Sequence, residues 1–134
     1  MTYPIRTIDD IMNCIPCSFW DTAEKVEYRL GEGWSGTLKD VLDLDVFASA
    51  KVWFIIMSGD LPDEKLETFC TICKGNGPLK EETVIVEDYR KKKDGTILSL
   101  AQEKAITFHM KSCKKVKSIR VETERQLAIL RTLI

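Results

Sequence analysis

Residues 46–73, which read VFASAKVWFIIMSGDLPDEKLETFCTIC, decide the fold of this chain. They include the densest apolar run of the sequence, from Trp53 to Met57. A run this short fits a buried strand or a buried helix, because periodicity alone does not separate the two. Its alanines and Met57 favour a helix, whereas Val52 and two isoleucines favour a strand. Gly59 follows in the position of a left-handed helix cap, so we predict a helix.

The second half of the stretch predicts a helix that begins at Pro62 and closes at Lys74 and Gly75. Proline suits the first helical position, and the acids that follow it suit the positive end of the helix dipole. Four residues recur at helical spacing and therefore lie on one face: Leu66, Phe69, Cys70 and Cys73. We expect two antiparallel helices joined by a short loop, with Trp53 and Phe69 in their shared core.

A larger pattern runs through both helices and is formed by Trp53, Leu61, Pro62, Leu66, Phe69 and Cys70. It resembles small helical proteins of bacteria and their phages, some of which carry a toxin-immunity label. In those proteins an aliphatic-Trp helix leads through a Leu-Pro turn into Leu-x-x-Phe-(Ala/Cys). The resemblance covers about residues 50–106. It implies an all-α binding protein and brings no catalytic residues.

Length and composition are those of an ordinary globular chain. With 134 residues, 44% hydrophobic and 31% charged, we expect one domain over residues 1–134. No apolar run approaches the roughly 20 residues that span a bilayer, so we predict no membrane partner. The first ten residues, MTYPIRTIDD, lack the apolar segment of a signal peptide. We therefore expect a cytoplasmic protein, in its own cell or in a host cell.

The net charge of −1 hides an asymmetry between the two halves of the chain. Residues 1–73 carry 6 basic and 13 acidic side chains, whereas residues 74–134 carry 14 basic and 8 acidic ones. Such a chain can pair its halves internally, associate head to tail or present one face to a charged partner. Two solvated faces are the simpler interpretation.

Helical patterns also cover most of the remaining chain. They predict helices at residues 7–13, 18–30, 38–45, 99–113 and 116–134. Residues 74–79 form a turn at which the chain would divide, if it divides at all. Residues 80–93 follow, with Val84, Ile85 and Tyr89 as inward candidates, and the β-branched residues 83–86 leave a minor strand as an alternative. We predict a mostly all-α fold, a compact bundle of about six to seven short helices.

The last predicted helix carries Leu127, Leu130 and Ile134 at a seam-like spacing. An apolar seam beside a free C-terminus would fray without a partner. We therefore keep homo-oligomer formation through this helix as a hypothesis.

Cysteine gives the strongest chemical pattern of the sequence. Cys14 and Cys17 form one C-x-x-C pair, and Cys70 and Cys73 form another. Four thiolates suit tetrahedral zinc. The two pairs are much farther apart than the roughly 15–20 residues of common zinc modules, and the second pair also fits an apolar helix face. A zinc site and buried thiols are the main alternatives, and buried thiols are favoured. A thioredoxin-like redox role for Cys14 and Cys17 is a weaker third alternative, because no strand precedes the pair and the sequence shows no βαβ pattern.

Other chemical patterns are weaker. His109, the only histidine, has Cys113 four residues on, but no nearby acid in the sequence would orient it, so we interpret the pair as structural. The GEGWSG letters at residues 31–36 follow a helical pattern rather than a strand, and Glu32 would repel a phosphate. Trp34 and Glu32 are instead candidate residues for contact with a partner.

Basic residues cluster twice in the second half of the chain. One run is Arg90, Lys91, Lys92 and Lys93, and the other includes Lys114, Lys115 and Lys117. These residues are candidate partner contacts, and on one face they would suit a nucleic acid. Few aromatic residues lie nearby to stack on bases, so a solvated face is favoured.

Taken together, these patterns contain no catalytic dyad, nucleophile motif, phosphate loop or cofactor motif. We therefore predict a small non-catalytic protein that binds another protein and inhibits or neutralises it, as an immunity or phage anti-defence protein would. The alternatives are a nucleic-acid-binding accessory protein that uses the basic half, and a zinc-stabilised adaptor.

Overall fold

The computed structural model describes residues 2–14, 22–80, 83–86 and 89–134. Within these residues seven helices and one small sheet are present, so the predicted mostly helical fold is confirmed. The helices are α1 (Ile8–Asn13), α2 (Ala23–Leu30), α3 (Leu38–Leu42), α4 (Ala48–Ser58), α5 (Asp63–Asn76), α6 (Leu100–Lys115) and α7 (Ile119–Leu133).

The minor strand component lies near the N-terminus. Strands β1 (Arg6–Thr7) and β2 (Ser35–Gly36) pair antiparallel, with Arg6 opposite Gly36. Residues 83–86, where the sequence left a strand open, form neither helix nor strand. The prediction that Ile85 and Tyr89 point inward is wrong, since both side chains are exposed, while Val84 is half-buried against the core.

Helix α4 occupies the centre of the molecule. It contacts α1, α3, α6 and α7, and its residues from Lys51 to Ser58 are buried apart from Trp53, which is half-buried. A helix covered on most sides needs apolar residues all round, which explains the unbroken run of the sequence. Lys51 is accommodated because its ammonium group donates a hydrogen bond to the carbonyl oxygen of Leu42 at 2.7 Å, and burial lowers its pKa.

The end of α4 is fixed by backbone and side-chain contacts. Gly59 adopts a left-handed φ of 78° and caps the helix, as predicted. The next residue, Asp60, accepts hydrogen bonds from both Nε and Nη2 of Arg6, the former at 2.8 Å. A bidentate guanidinium–carboxylate contact orients both groups, so the first strand is held against the end of the central helix.

Helix α5 follows the predicted apolar face but has shifted ends. Pro62 precedes the helix in an extended conformation instead of being its first residue, and the helix continues through Gly75 to Asn76. Leu66, Phe69 and Cys73 are fully buried. We predicted that the helix would end at Lys74 with Gly75 as its cap, two residues before its observed end. Gly75 is instead part of the helix.

The N-terminal helices pack on one another and on α4. α1 begins after Thr7, whose side chain and Asp10 form a reciprocal capping box. α2 begins at Ala23 after a Thr22 cap, and its buried residue is Val26. The predicted earlier start of this helix, at Ser18, lies outside the described residues. α3 is capped by Thr37, as predicted.

The C-terminal helices α6 and α7 complete the core by packing on α4, α5 and each other. α6 begins with a capping box between Ser99 and Gln102, and α7 begins after Ser118, three residues later than predicted. Leu127 and Leu130 of the predicted seam are buried within the chain. The residues that suggested self-association thus serve the intramolecular core, and oligomer formation stays a prediction.

A short hairpin at residues 89–98, called here the hairpin segment, joins distant parts of the chain. Arg90 binds the fully buried Glu103 through both its backbone N–H and its guanidinium group, the latter at 2.6 Å. At its tip, the N–H of Asp94 donates to Asn13 Oδ1 at 2.8 Å. Lys93 also donates its N–H to the carbonyl oxygen of Asn13. The segment therefore connects α6 to the end of α1.

Candidate protein-binding surface

Only one of the two predicted contact residues in the loop at residues 31–34 is exposed. Glu32 is exposed, whereas Trp34 is half-buried and packs against the core. Gly33 beside it adopts a φ of 72°. Trp34 therefore packs part of its side chain against the core and holds the loop in place, and its role as a contact residue stays a prediction.

The first basic run is partly used within the protein. Arg90 is paired with Glu103, and the Lys92 ammonium group donates to the carbonyl oxygen of Ser58 at 3.0 Å. Lys91 and Lys93 have exposed side chains. The four residues consequently do not form one free basic face.

The second basic cluster lies where α6 ends and α7 begins. Lys114 and Lys117 are exposed, as is Lys115, which makes a further contact within the chain. Lys114 and Lys115 occupy the last turn of α6, where cations stabilise the negative end of the helix dipole. Phe108 is buried, so it is not available for base stacking.

The described cysteines lie in apolar surroundings. Burial raises the pKa of Cys14 and Cys70 to about 11 and that of Cys73 to about 12, so these groups are protonated thiols at neutral pH. In the described part of the chain, no three His, Cys, Asp or Glu side chains are arranged to hold a metal ion. Cys17 lies outside that part, so the four-cysteine site stays a prediction.

His109 and Cys113 lie beside a buried polar chain between α6 and α7. His109 Nδ1 is 2.6 Å from Gln126 Oε1, and Gln126 donates through Nε2 to Glu122 at 3.1 Å. The amide oxygen only accepts, so Nδ1 carries the proton. Burial lowers the pKa of His109 and raises that of Cys113. At neutral pH the pair is thus a neutral imidazole and a protonated thiol, which agrees with the interpretation of His109 and Cys113 as structural residues.

A surface feature that the sequence did not indicate lies between α4 and α7. Two adjoining cavities, of about 500 and 320 Å³, share Val46, Ala48 and Glu124. We call this feature the α4–α7 groove. It is open to solvent and runs from Arg29 at the end of α2 to Arg131 near the end of α7.

Two large apolar side chains of this groove are exposed to solvent. Phe47 is 58% exposed and Ile119 is 55% exposed, and both line the larger cavity. Phe47 also occupies the N-cap position of α4 without making a side-chain cap, although polar residues are preferred there. Two large apolar groups at the rim of one cavity suit contact with another macromolecule.

Charges of both signs border the groove. Arg120 pairs with Glu124 at 3.3 Å, and Arg131 lies 3.6 Å from Asp43 while donating to the carbonyl oxygen of Leu42. Exposed apolar side chains bordered by polar, solvent-exposed groups are common in protein–protein interfaces. The groove therefore has the composition of a small binding surface for a protein.

Comparison with known proteins identified no relative of this chain. No protein-family model matches the chain, and neither a curated protein nor a solved structure shows significant similarity to it. The resemblance to toxin-immunity proteins consequently remains a prediction, and the assignment of function depends on the groove itself.

One sequence signal could have indicated this groove. An aromatic residue directly before a helix, where a capping side chain is expected, indicates that Phe47 has a role other than capping. Nothing in the local sequence places Ile119 beside it, since the two residues are brought together by the packing of α7 on α4. Separately, none of the described helices is both long and apolar enough to cross a membrane.

Proposed function

We propose that this chain is a non-catalytic protein that binds another protein through the α4–α7 groove and inhibits or neutralises it. The supporting observation is the pair of exposed apolar residues, Phe47 and Ile119, at the rim of one cavity. The partner presents an apolar side chain to this cavity and charged groups to its rim. A role as an immunity or phage anti-defence protein, in the cytoplasm of its own or a host cell, is part of this proposal.

The chemistry of the remaining sites supports a binding role over catalysis. The thiols of Cys14, Cys70 and Cys73 are held in their protonated form by burial, so they are poor nucleophiles. His109 is buried and its polar partner is an amide. A general base needs access to a substrate proton, which a histidine in this position lacks.

The proposal is tested by comparing two charge substitutions at equally exposed positions. Phe47→Glu places a carboxylate in the groove, whereas Ile97→Glu places one in the hairpin segment, where the native residue is 59% exposed. A partner is recovered from the native cytoplasm with the wild-type protein and its affinity is measured by titration. Loss of a central apolar contact costs about 2 kcal/mol, or roughly 30-fold in Kd.

We expect Phe47→Glu to weaken binding by this factor and Ile97→Glu to leave it unchanged. Circular dichroism must show both variants folded. Equal affinities of the wild-type protein and Phe47→Glu would show that the groove is not the binding surface. Recovery of no protein partner would count against the binding function as a whole.

Nucleic-acid binding is the second candidate, and the exposed lysines at the junction of α6 and α7 favour it. Lys111, Lys114 and Lys117 lie within seven residues of one another and are all exposed. Binding through such residues would weaken steeply with salt because counterions are released. Affinity for DNA and RNA that is undetectable at 50 mM salt would exclude this candidate.

A further inference from the structure

The hairpin segment divides its basic residues between two sides. The Leu98 N–H donates to the carbonyl oxygen of Arg90 at 3.1 Å, and in the next position Lys91 is paired with Ile97. Successive side chains of a strand point to opposite faces, and residues directly opposite each other share a face. Arg90 and Leu98 therefore point to the protein, whereas Lys91 and Ile97 point to solvent.

Burial agrees with this division, since Leu98 on the inner side is buried. On the outer side Tyr89, which lies two residues before Lys91, is 53% exposed. Four exposed residues form this side, which we call the outer hairpin face: Tyr89, Lys91, Lys93 and Ile97. Within the described part of the chain, the hydroxyl group of the tyrosine and the ammonium groups of the two lysines make no hydrogen bond or ion pair. These polar groups are therefore accessible to a ligand.

The charge of this face suits an anionic ligand. Residues 89–98 include four basic side chains and one acidic side chain. The acid, Asp94, is held at the tip of the hairpin, where it accepts hydrogen bonds from Asn13 and from the N–H of Thr96. The two residues that precede the hairpin in the sequence, at positions 87 and 88, are acidic. Two lysines beside such acids do not hold an anion tightly by charge alone, so a ligand needs a second kind of contact.

Tyr89 supplies this second contact and indicates the kind of anion. An exposed aromatic ring stacks on a nucleobase, and one such stack strengthens binding about fivefold or more. Alternate residues of a strand lie about 7 Å apart, so a base on the Tyr89 ring leaves a neighbouring phosphate within reach of the flexible Lys91 side chain. In a duplex the bases are stacked on one another, so only a single strand offers a base to the ring. A ring and two cations in this order therefore fit single-stranded DNA or RNA.

We propose that the outer hairpin face binds single-stranded nucleic acid. One base stacks on Tyr89, neighbouring phosphates pair with Lys91 and Lys93, and Ile97 packs against a sugar or a base. Contacts of this kind do not read the edges of the bases, so the strand is bound without strong sequence preference. The site is separate from the α4–α7 groove and from the lysines at the junction of α6 and α7, and it rests on neither of the functions proposed there.

The test measures binding of the full-length protein by fluorescence anisotropy at 50 mM NaCl. The probes are a labelled oligothymidine and a labelled oligouridine of about 12 nucleotides, and a DNA duplex of the same length. We expect a Kd of roughly 1–100 µM for the single strands and weaker binding of the duplex. Tyr89→Ala should weaken binding of the single strands at least about fivefold, whereas Tyr28→Ala, at a tyrosine that is 87% exposed on α2, should leave it unchanged. No binding of either single strand, a duplex bound as tightly as they are, or equal affinities of the wild-type protein and Tyr89→Ala would overturn the proposal.

The salt dependence of binding separates the lysines from the ring. For a single strand, the slope of log affinity against log salt concentration falls by about 0.7 for each phosphate contact that is removed. The double variant Lys91→Gln and Lys93→Gln should therefore lower this slope by about 1.4, and Tyr89→Ala should leave it unchanged. Circular dichroism must show that every variant is folded. An unchanged slope in the lysine double variant would overturn the proposal.

The matched control for the lysines is the double variant Lys114→Gln and Lys117→Gln, at two exposed positions of the junction between α6 and α7. We expect it to bind the single strands with an affinity within about twofold of the wild-type protein, since neither lysine is part of the outer hairpin face. Loss of binding in this control alone would place the nucleic acid at the junction, which would overturn the present proposal and leave nucleic-acid binding itself intact. A polyglutamate peptide that competes as well as an oligothymidine of the same charge would show that only charge is recognised, and it would overturn the proposal too.

Discussion

His109, the only histidine of the chain, provides a prediction about how stability depends on pH. Its imidazole is buried between α6 and α7 and donates through Nδ1 to Gln126 Oε1 at 2.6 Å. Burial lowers its pKa from the ordinary value of 6.5, although Gln126 and the nearby Glu122 act in the opposite direction. The folded protein therefore holds this group neutral at a pH where the unfolded chain protonates it.

The sign of the effect follows from proton binding. Above pH 6.5 both states are neutral at this position and the contribution to stability is complete. As the pH falls below 6.5, the unfolded state binds the proton first, so the free energy of unfolding decreases. The slope for one group cannot exceed about 1.4 kcal/mol per pH unit, and because the unfolded histidine is still mostly neutral at pH 7.5, the total loss between pH 7.5 and 5.5 is at most about 1.4 kcal/mol.

The assay is urea unfolding followed by tryptophan fluorescence at several pH values from 7.5 to 5.5. His109→Gln is the matched control, since its amide can still donate to Gln126 but does not titrate. We expect the wild-type protein to lose more stability than the variant over this range, by no more than about 1.4 kcal/mol. Equal losses in the two proteins would show that the histidine is not held neutral and would refute the reasoning.

Three further predictions concern the core, the helix ends and the thiols. Phe69 is fully buried, so Phe69→Ala should lower the free energy of unfolding by about 3–5 kcal/mol in urea titrations. Gly59→Ala places a side chain on a residue with a φ of 78° and should lower the free energy of unfolding by about 1 kcal/mol. Gly75→Ala lies within a helix, with nothing within 4 Å of the added carbon, and should raise the free energy of unfolding by about 0.5–1 kcal/mol. Thermal melts of the two glycine variants measure both effects. A change of melting temperature in the same direction for both would contradict the different backbone conformations of Gly59 and Gly75. In native protein at pH 8, mass spectrometry should find Cys73 labelled at least about tenfold more slowly than the half-buried Cys113; comparable rates would show that the core around Cys73 opens readily.

Much of the fold follows from local patterns in the sequence. Capping residues such as Thr7 and Ser99 marked helix starts because their side chains accept hydrogen bonds from the first free backbone amides. The run from Trp53 to Met57 was more difficult to assign, since a helix buried on most sides lacks the alternation of apolar and polar residues that marks an amphipathic helix. Gly59 favoured the helix, because glycine suits the left-handed cap that ends many helices, and it takes that conformation in the structure.

The candidate surface could not be found in the same way. Phe47 and Ile119 lie far apart in the sequence and meet only because α7 packs on α4. The first basic run shows the same limit, since Arg90 is paired with Glu103, whose burial no local pattern predicted. Contacts between residues far apart in the sequence therefore decide which apolar side chains stay exposed and which charges are paired. Local sequence patterns do not indicate such contacts.

The central position of α4 has a consequence for how the protein is made. Much of the apolar surface of α4 is covered by α6 and α7, which occupy the last third of the chain. A ribosome completes residues 48–58 before it completes residues 100–133, so the growing chain carries an apolar helix whose covering helices have not yet been made. Exposed apolar segments of this kind are prone to aggregate and are bound by chaperones. The residues that stabilise the finished protein are thus the ones that place the growing chain at risk.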